Sequence, residues 1–173
     1  MNKFAIVLIG MSGVGKTTVG KELAKALEGY EFFDTDEEIE KYSNKSVPEI
    51  FEEFGEPFFR VLEKDTIKRV LKNGTKQVIS LGGGAFEDEL SRKLLLKNGT
   101  VIYLKASAQE IYNRLICNSE ASKRPLLKDL SVEKIDILMS NRIQNYEKAH
   151  YTIDTTAKNQ YNVVEEILEL CRQ

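Results

Sequence analysis

Short apolar runs alternate along the chain with longer stretches in which apolar residues return every three or four positions. The runs are Phe4 to Ile9, Tyr30 to Phe33, Gln77 to Leu81, Val101 to Leu104 and Tyr151 to Ile153. Near-continuous apolar runs of this length fit strands buried on both faces, and the spacing between them fits helices. Strands that alternate with helices argue for a parallel sheet joined by right-handed crossovers. The pattern therefore predicts an α/β fold of three layers, α/β/α, in one domain over residues 1–173. A chain of that length buries roughly 70% of the surface its unfolded form exposes, so a core needs no staples.

Local punctuation sharpens the helix boundaries. Ser46 with Glu49, and Ser107 with Glu110, have the spacing of a capping box, in which each residue serves the other's backbone N–H. Asn73-Gly74 and Asn98-Gly99 follow Lys-bearing helical patterns and are predicted to end helices in the left-handed conformation rather than to form hairpin turns. The irregular stretch from Cys117 to Leu127 closes on Arg124-Pro125-Leu126-Leu127. Its length and polarity allow a surface loop or a lid, and Arg124 favours the lid.

Composition removes several functional classes. The 25 basic and 27 acidic residues are interspersed and leave a net charge of -2, so no overall field attracts nucleic acid or an anionic membrane. No apolar run approaches the roughly 18 residues of a membrane helix. Lys3 before Phe4 to Ile9 imitates a secretion signal, but a glycine-rich loop follows where a cleavage site would stand, and the run is read as a buried strand. Cys117 and Cys171 lie far apart without metal-site spacing, which fits a reducing compartment and a cytoplasmic location.

The chemistry begins after the first strand. Gly10-Met11-Ser12-Gly13-Val14-Gly15-Lys16-Thr17 fits G-x-x-x-x-G-K-[ST], and Val19, Leu23, Ala26 and Leu27 form the apolar stripe of a following helix. Main-chain amides from Gly13, Val14, Gly15 and Thr18 are expected to turn inward around ATP phosphates. Lys16 adds a point charge at the β and γ phosphates, and the Thr17 hydroxyl is offered to Mg2+. This motif identifies the donor and leaves the acceptor open.

Later residues supply acceptor chemistry. Asp34-Thr35-Asp36 follows the second strand, where alternation would send both carboxylates to one side, one towards a metal and one towards an acceptor hydroxyl. The same residues equally suit the cap of a helix starting near Glu37. Gly82-Gly83-Gly84 ends the third strand, either for close ligand approach or for a turn needing positive φ. Arg60 has Glu63 one helical turn on, and Arg142 has Tyr146 one turn beyond. A guanidinium fork suits a carboxylate, although a single arginine is more commonly an exposed ion pair.

Together, the P-loop, Asp34-x-Asp36, Gly55-Glu56-x-x-Phe59-Arg60, Gly82-Gly83-Gly84, Arg124-Pro-Leu-Leu and Arg142-x-x-x-Tyr146 stand in the order of shikimate kinase. The chain resembles that family over essentially its whole length. The resemblance implies a five-stranded parallel sheet of the P-loop NTPase, nucleoside-monophosphate-kinase-like kind, a substrate-binding helical region at about 34–63 and a lid at about 117–127. It implies a monomer that transfers phosphate from ATP, with Mg2+, to the 3-hydroxyl of shikimate on the way to chorismate and the aromatic amino acids. Asp36, Arg60, Gly82, Gly83 and Arg142 would hold shikimate, and Asp34 and Thr17 would hold Mg2+. Lys16, Asp36 and Arg124 would act in catalysis, with Arg124 also meeting ATP.

The chain departs from the family's pattern at Gln144 and near Gln160, where proline is usual, and at His150, where an acidic residue is frequent. His150 is expected at a strand edge. Adenine contacts from Arg114 or Lys158 to Gln160 stay unassigned. A gluconate or nucleoside monophosphate kinase would share the first 30 residues, and a non-catalytic ATP-binding paralogue would need neither Asp36 nor Arg124.

Overall fold

The computed structural model describes residues 5–72, 76–117 and 131–172. The elements run β1 (Ala5–Ile9), α1 (Lys16–Ala26), β2 (Glu31–Asp34), α2 (Thr35–Ser43), α3 (Val47–Lys72) and β3 (Gln77–Ser80). A 3-10 turn over Ala85–Glu87 leads to α4 (Glu89–Asn98), β4 (Gly99–Lys105), α5 (Ala108–Cys117), α6 (Val132–Tyr146), β5 (Tyr151–Asp154) and α7 (Gln160–Arg172). The five strands lie in the order β2-β3-β1-β4-β5, and each neighbouring pair is parallel. All of β1 is buried, which requires cover on both faces of the sheet and accounts for its unbroken apolar run.

Register places the functional edge. Leu8 and Asp34 both stand opposite Ser80, so β1, β2 and β3 end level with one another. Gly10, Thr35 and Gly82 consequently leave the sheet at one carboxyl edge, where ligands bind in open α/β sheets. The main core lies under that edge and includes Leu8, Leu23, Ile79, Leu95, Ile102 and Tyr146. A second, smaller core of Ile39, Ile50 and Phe59 joins α2 to α3, with Val47, Phe51 and Leu62 packed against it.

The boundaries follow local chemistry. At Ser46 the capping box is complete: its N–H donates to Glu49 Oε2 at 2.7 Å, and the Glu49 N–H donates back to Ser46 Oγ at 3.5 Å. At Ser107 only half forms, because Glu110 gives its carboxylate to Arg114 at 2.9 Å. Helix α3 breaks at Gly55 (φ 79°, ψ 171°), and Pro57 then falls in the first turn of its second segment, where a missing N–H costs nothing.

Several element boundaries differ from the sequence expectations. The second strand runs Glu31–Asp34 instead of Tyr30 to Phe33, and α2 starts at Thr35 instead of near Glu37. Asn98 does end α4, but Gly99 is extended (φ -137°, ψ 161°) rather than left-handed, because it pairs at once with Ala5 as the first residue of β4. Asn73-Gly74, Phe4 and the stretch 118–127, including Arg124, lie outside the described residues. Among the described residues, no helix is long and apolar enough to cross a membrane.

Candidate active site

The phosphate loop links the end of β1 to α1. Gly15 is the N-cap of α1 at φ 103°, with no side-chain cap, and a Cβ built on it would meet nothing within 4 Å. Open space therefore stands before the uncapped N–H groups and positive end of α1, which is a seat for an anion. Lys16 is buried, and its Nζ donates to the carbonyls of Gly10 and Met11, each at 2.9 Å. Val14 is buried beneath the loop, and Gly13 turns at φ 84°. Thr18 is exposed and, with Thr17, Lys21, Tyr30 and Phe32, lines an open groove of about 490 Å³.

Thr17 Oγ1 donates to Asp34 Oδ2 at 2.7 Å, which brings a hydroxyl and a carboxylate together beside Lys16. Asp34 Oδ1 accepts the N–H of Asp36 at 3.0 Å, so Asp34 is at once the cap of α2 and the neighbour of Thr17. The expected strand alternation of Asp34 and Asp36 is not adopted. Helix α2 begins between them, and the helical turn carries Asp36 towards Gly82. The pair Thr17 and Asp34 offers hard oxygen donors next to the phosphate seat, a set that fits Mg2+, which binds few protein groups and keeps waters and phosphate oxygens.

Opposite the phosphate loop, the glycine triplet is pressed by side chains from three helices. A Cβ on Gly82 would lie 2.7 Å from Asp36 Oδ1 and 2.8 Å from Glu63 Oε1, and one on Gly84 would lie 2.7 Å from both terminal nitrogens of Arg60. Close approach therefore explains the glycines; positive φ does not, since none of the three adopts it. The Gly82 N–H donates to Thr35 Oγ1 at 2.9 Å. The Gly83 carbonyl accepts from Arg142 Nη1 at 3.1 Å and from the Tyr146 hydroxyl.

Arg60 is held by two carboxylates, Glu63 Oε2 at 2.8 Å and Glu56 Oε1 at 2.7 Å. Beside them lies a cavity of about 270 Å³ whose wall includes Arg60, Glu63, Lys64, Gly84, Glu87 and Arg142. Burial pushes the Glu63 carboxyl up to about 7; Arg60 opposes this, and the charge on Asp36 adds to it. Burial also works against the charge on Arg60, yet Glu63 and Glu56 hold its pKa above the ordinary value. The site thus presents pre-paired guanidinium groups and a carboxylate, Asp36, at one sheet edge with an anion seat.

The family model for shikimate kinase matches residues 12–172. The chain belongs to the shikimate kinase family. A shikimate kinase from Thermodesulfovibrio yellowstonii is 41% identical over 165 residues, covering 95% of this chain and 92% of the relative. One from Persephonella marina is 42% identical over 164 residues, covering 94% and 96%. Among solved structures, the shikimate kinase from Acinetobacter baumannii in complex with shikimate superposes with a TM-score of 0.89 at 34% identity, covering 96% of this chain and 92% of that one. The shikimate kinase from Aquifex aeolicus gives 0.81 at 34% identity, covering 95% and 94%.

Within this shikimate kinase fold, residues left unassigned in the sequence gain definite places. Arg114 of α5 donates to the Val14 carbonyl at 3.0 Å and the Thr155 carbonyl at 2.8 Å, tying the phosphate loop to the turn after β5. Lys158 pairs with Glu166 at 2.6 Å. His150 stands at the strand edge as expected: its N–H donates to the Val101 carbonyl at 2.9 Å, and the Val101 N–H donates to its Nδ1 at 3.0 Å. Sequence reasoning missed Thr35, for which no pattern signalled a bond to Gly82. It also assigned no role to Tyr146, although the four-residue spacing from Arg142 marked the two as neighbours on one helix face.

Proposed function

We propose that the chain transfers the γ-phosphoryl group of ATP to the 3-hydroxyl of shikimate, giving ADP and shikimate 3-phosphate. The observation that carries this reading is the convergence of Asp36, Arg60 and Arg142 on Gly82, Gly83 and Gly84, at the sheet edge that also holds the phosphate loop. Arg60 and Arg142 in the wall of a cavity of about 270 Å³, with Asp36 against the neighbouring Gly82, suit a compact hydroxylated acid better than a nucleotide. The relatives' name and the shikimate bound in one solved structure support the same substrate.

In this reading the loop amides of residues 13–18 and Lys16 hold the triphosphate, and Arg60 and Arg142 hold the acceptor's carboxylate. Asp36 orients the 3-hydroxyl and takes its proton as that oxygen bonds to the γ-phosphorus and the bond to the β-phosphate bridge breaks. Thr17 and Asp34 would hold Mg2+, which when bound neutralises charge on the phosphate oxygens. Arg124, in the family's Arg-Pro-Leu-Leu motif, is assigned to the transferred group, with the stretch about 117–127 as its lid. The helical region about 34–63 is the acceptor-holding part of a single monomeric domain. Two exposed free cysteines, Cys117 and Cys171, accord with the cytoplasm.

A coupled ADP-release assay across shikimate, gluconate and nucleoside monophosphates tests the substrate. Release that depends on shikimate alone is the expected result. Equal turnover of gluconate would overturn it.

A further inference from the structure

We propose that Tyr146 is a positioning residue: its hydroxyl holds the Gly83 carbonyl so that Arg142 is free to leave it for the acceptor. The proposal rests on the substrate reading above and assigns the acceptor site a residue that touches neither substrate. Tyr146 ends α6, is 1% exposed, and stacks on Tyr103 of β4 with ring centroids 5.0 Å apart. Burial drives its phenol pKa far upward, so the hydroxyl keeps its proton and serves as a donor. Its acceptor is the Gly83 carbonyl, the same oxygen that takes Arg142 Nη1 at 3.1 Å. A carbonyl oxygen has two lone pairs, and both donors fit at once.

This shared oxygen lies where the two substrate loops meet. Met11 of the phosphate loop places its sulfur 3.9 Å from the Tyr146 hydroxyl and 3.7 Å from Arg142 Nη1. A Cβ on Gly83 would stand 3.1 Å from Ser12 Oγ in the same loop. The position of Gly83 therefore sets the distance between phosphate donor and alcohol acceptor. An incoming carboxylate is a stronger partner for Arg142 than a peptide carbonyl is, and it draws the guanidinium away. Were Arg142 the only donor, that movement would strand a partly buried carbonyl and weaken acceptor binding. The Tyr146 hydroxyl prevents this and keeps the acceptor loop seated against the phosphate loop.

The test is Tyr146→Phe, which keeps the ring and its packing and removes only the hydroxyl. We expect KM for shikimate to rise about tenfold, the cost of one stranded carbonyl, and kcat to fall by up to about tenfold from loop misplacement. KM for ATP should stay within about twofold, a split that general destabilisation does not produce. In an Arg142→Ala background there is no guanidinium to withdraw, so the shikimate KM penalty of Tyr146→Phe should vanish while the kcat penalty persists. Equal rises in both KM values, an unchanged shikimate KM, or an undiminished penalty in the Arg142→Ala background would each overturn the proposal.

A measurement on the unmodified protein guards against a variant that fails to fold. With the Gly83 carbonyl isotopically labelled, saturating shikimate without nucleotide should shift its infrared band by the loss of one of two hydrogen bonds. A band that does not move overturns the exchange. Wild-type turnover of shikimate, run alongside, separates the two readings: its absence overturns both, whereas turnover with a silent Tyr146→Phe removes Tyr146 alone.

Discussion

The two halves of the proposed site are built by different means. The donor half is the main chain of consecutive residues, Gly10 to Thr17, at the mouth of one helix. The acceptor half is assembled from side chains on α2, α3 and α6, 106 residues apart from Asp36 to Arg142 (142 − 36), that meet on the glycine triplet. A backbone seat depends on loop conformation and tolerates much variation in side chains. A side-chain seat depends on every partner being held, which is why Arg60 carries two carboxylates and Arg142 shares its acceptor with Tyr146. Substitutions in the acceptor half should therefore spare nucleotide binding, and that separation is open to attack.

The sharpest attack is Asp36→Asn. It should lower kcat by at least about 10²-fold, the usual worth of a positioned proton acceptor, with ATP affinity nearly unchanged by calorimetry. Loss of ATP affinity in proportion would mean that the two halves are one unit. Next in size are Arg60→Ala and Arg142→Ala, each expected to weaken shikimate binding by about 2 kcal/mol, roughly thirtyfold. If neither variant changes the dissociation constant for shikimate, both guanidinium groups lie outside the pocket.

The smallest effect, taken per pH unit, concerns stability. Glu63 titrates near 7 in the folded protein against an ordinary 4.5, so its carboxyl contributes stability that is complete below about pH 4.5 and is lost as pH rises through about 7. Wild-type stability should fall by about 1 kcal/mol per pH unit across that window from this group, and Glu63→Gln should flatten the slope. Parallel pH profiles in urea melts of the two proteins would show that Arg60 fully compensates the buried charge.

The contrast between the halves also explains what the sequence made legible. The phosphate loop is contiguous, and its glycines, lysine and threonine stand at fixed offsets, so it needs no fold to be recognised. The Ser46 capping box and the Arg60–Glu63 pair were equally local and are present as expected. Asp36 reaches Gly82 by a route other than strand alternation, because α2 starts one residue after Asp34 and puts a helical turn in its place. Thr35 with Gly82 and Tyr146 with Gly83 are side-chain to main-chain bonds across 47 and 63 residues. Such bonds leave no periodic trace, and only the register of β2 against β3 and the placement of α6 bring them about.

Ile39, Ile50 and Phe59 form a nucleus apart from the sheet, joined to the rest of α3 across the break at Gly55. Phe59 precedes Arg60, whose guanidinium lies over Gly84, so a change of volume there is expected to act on the guanidinium before it reaches the strands. On the proposed reading, natural variation would have a compartment in which to retool the choice of alcohol, leaving the engine that splits the nucleotide undisturbed.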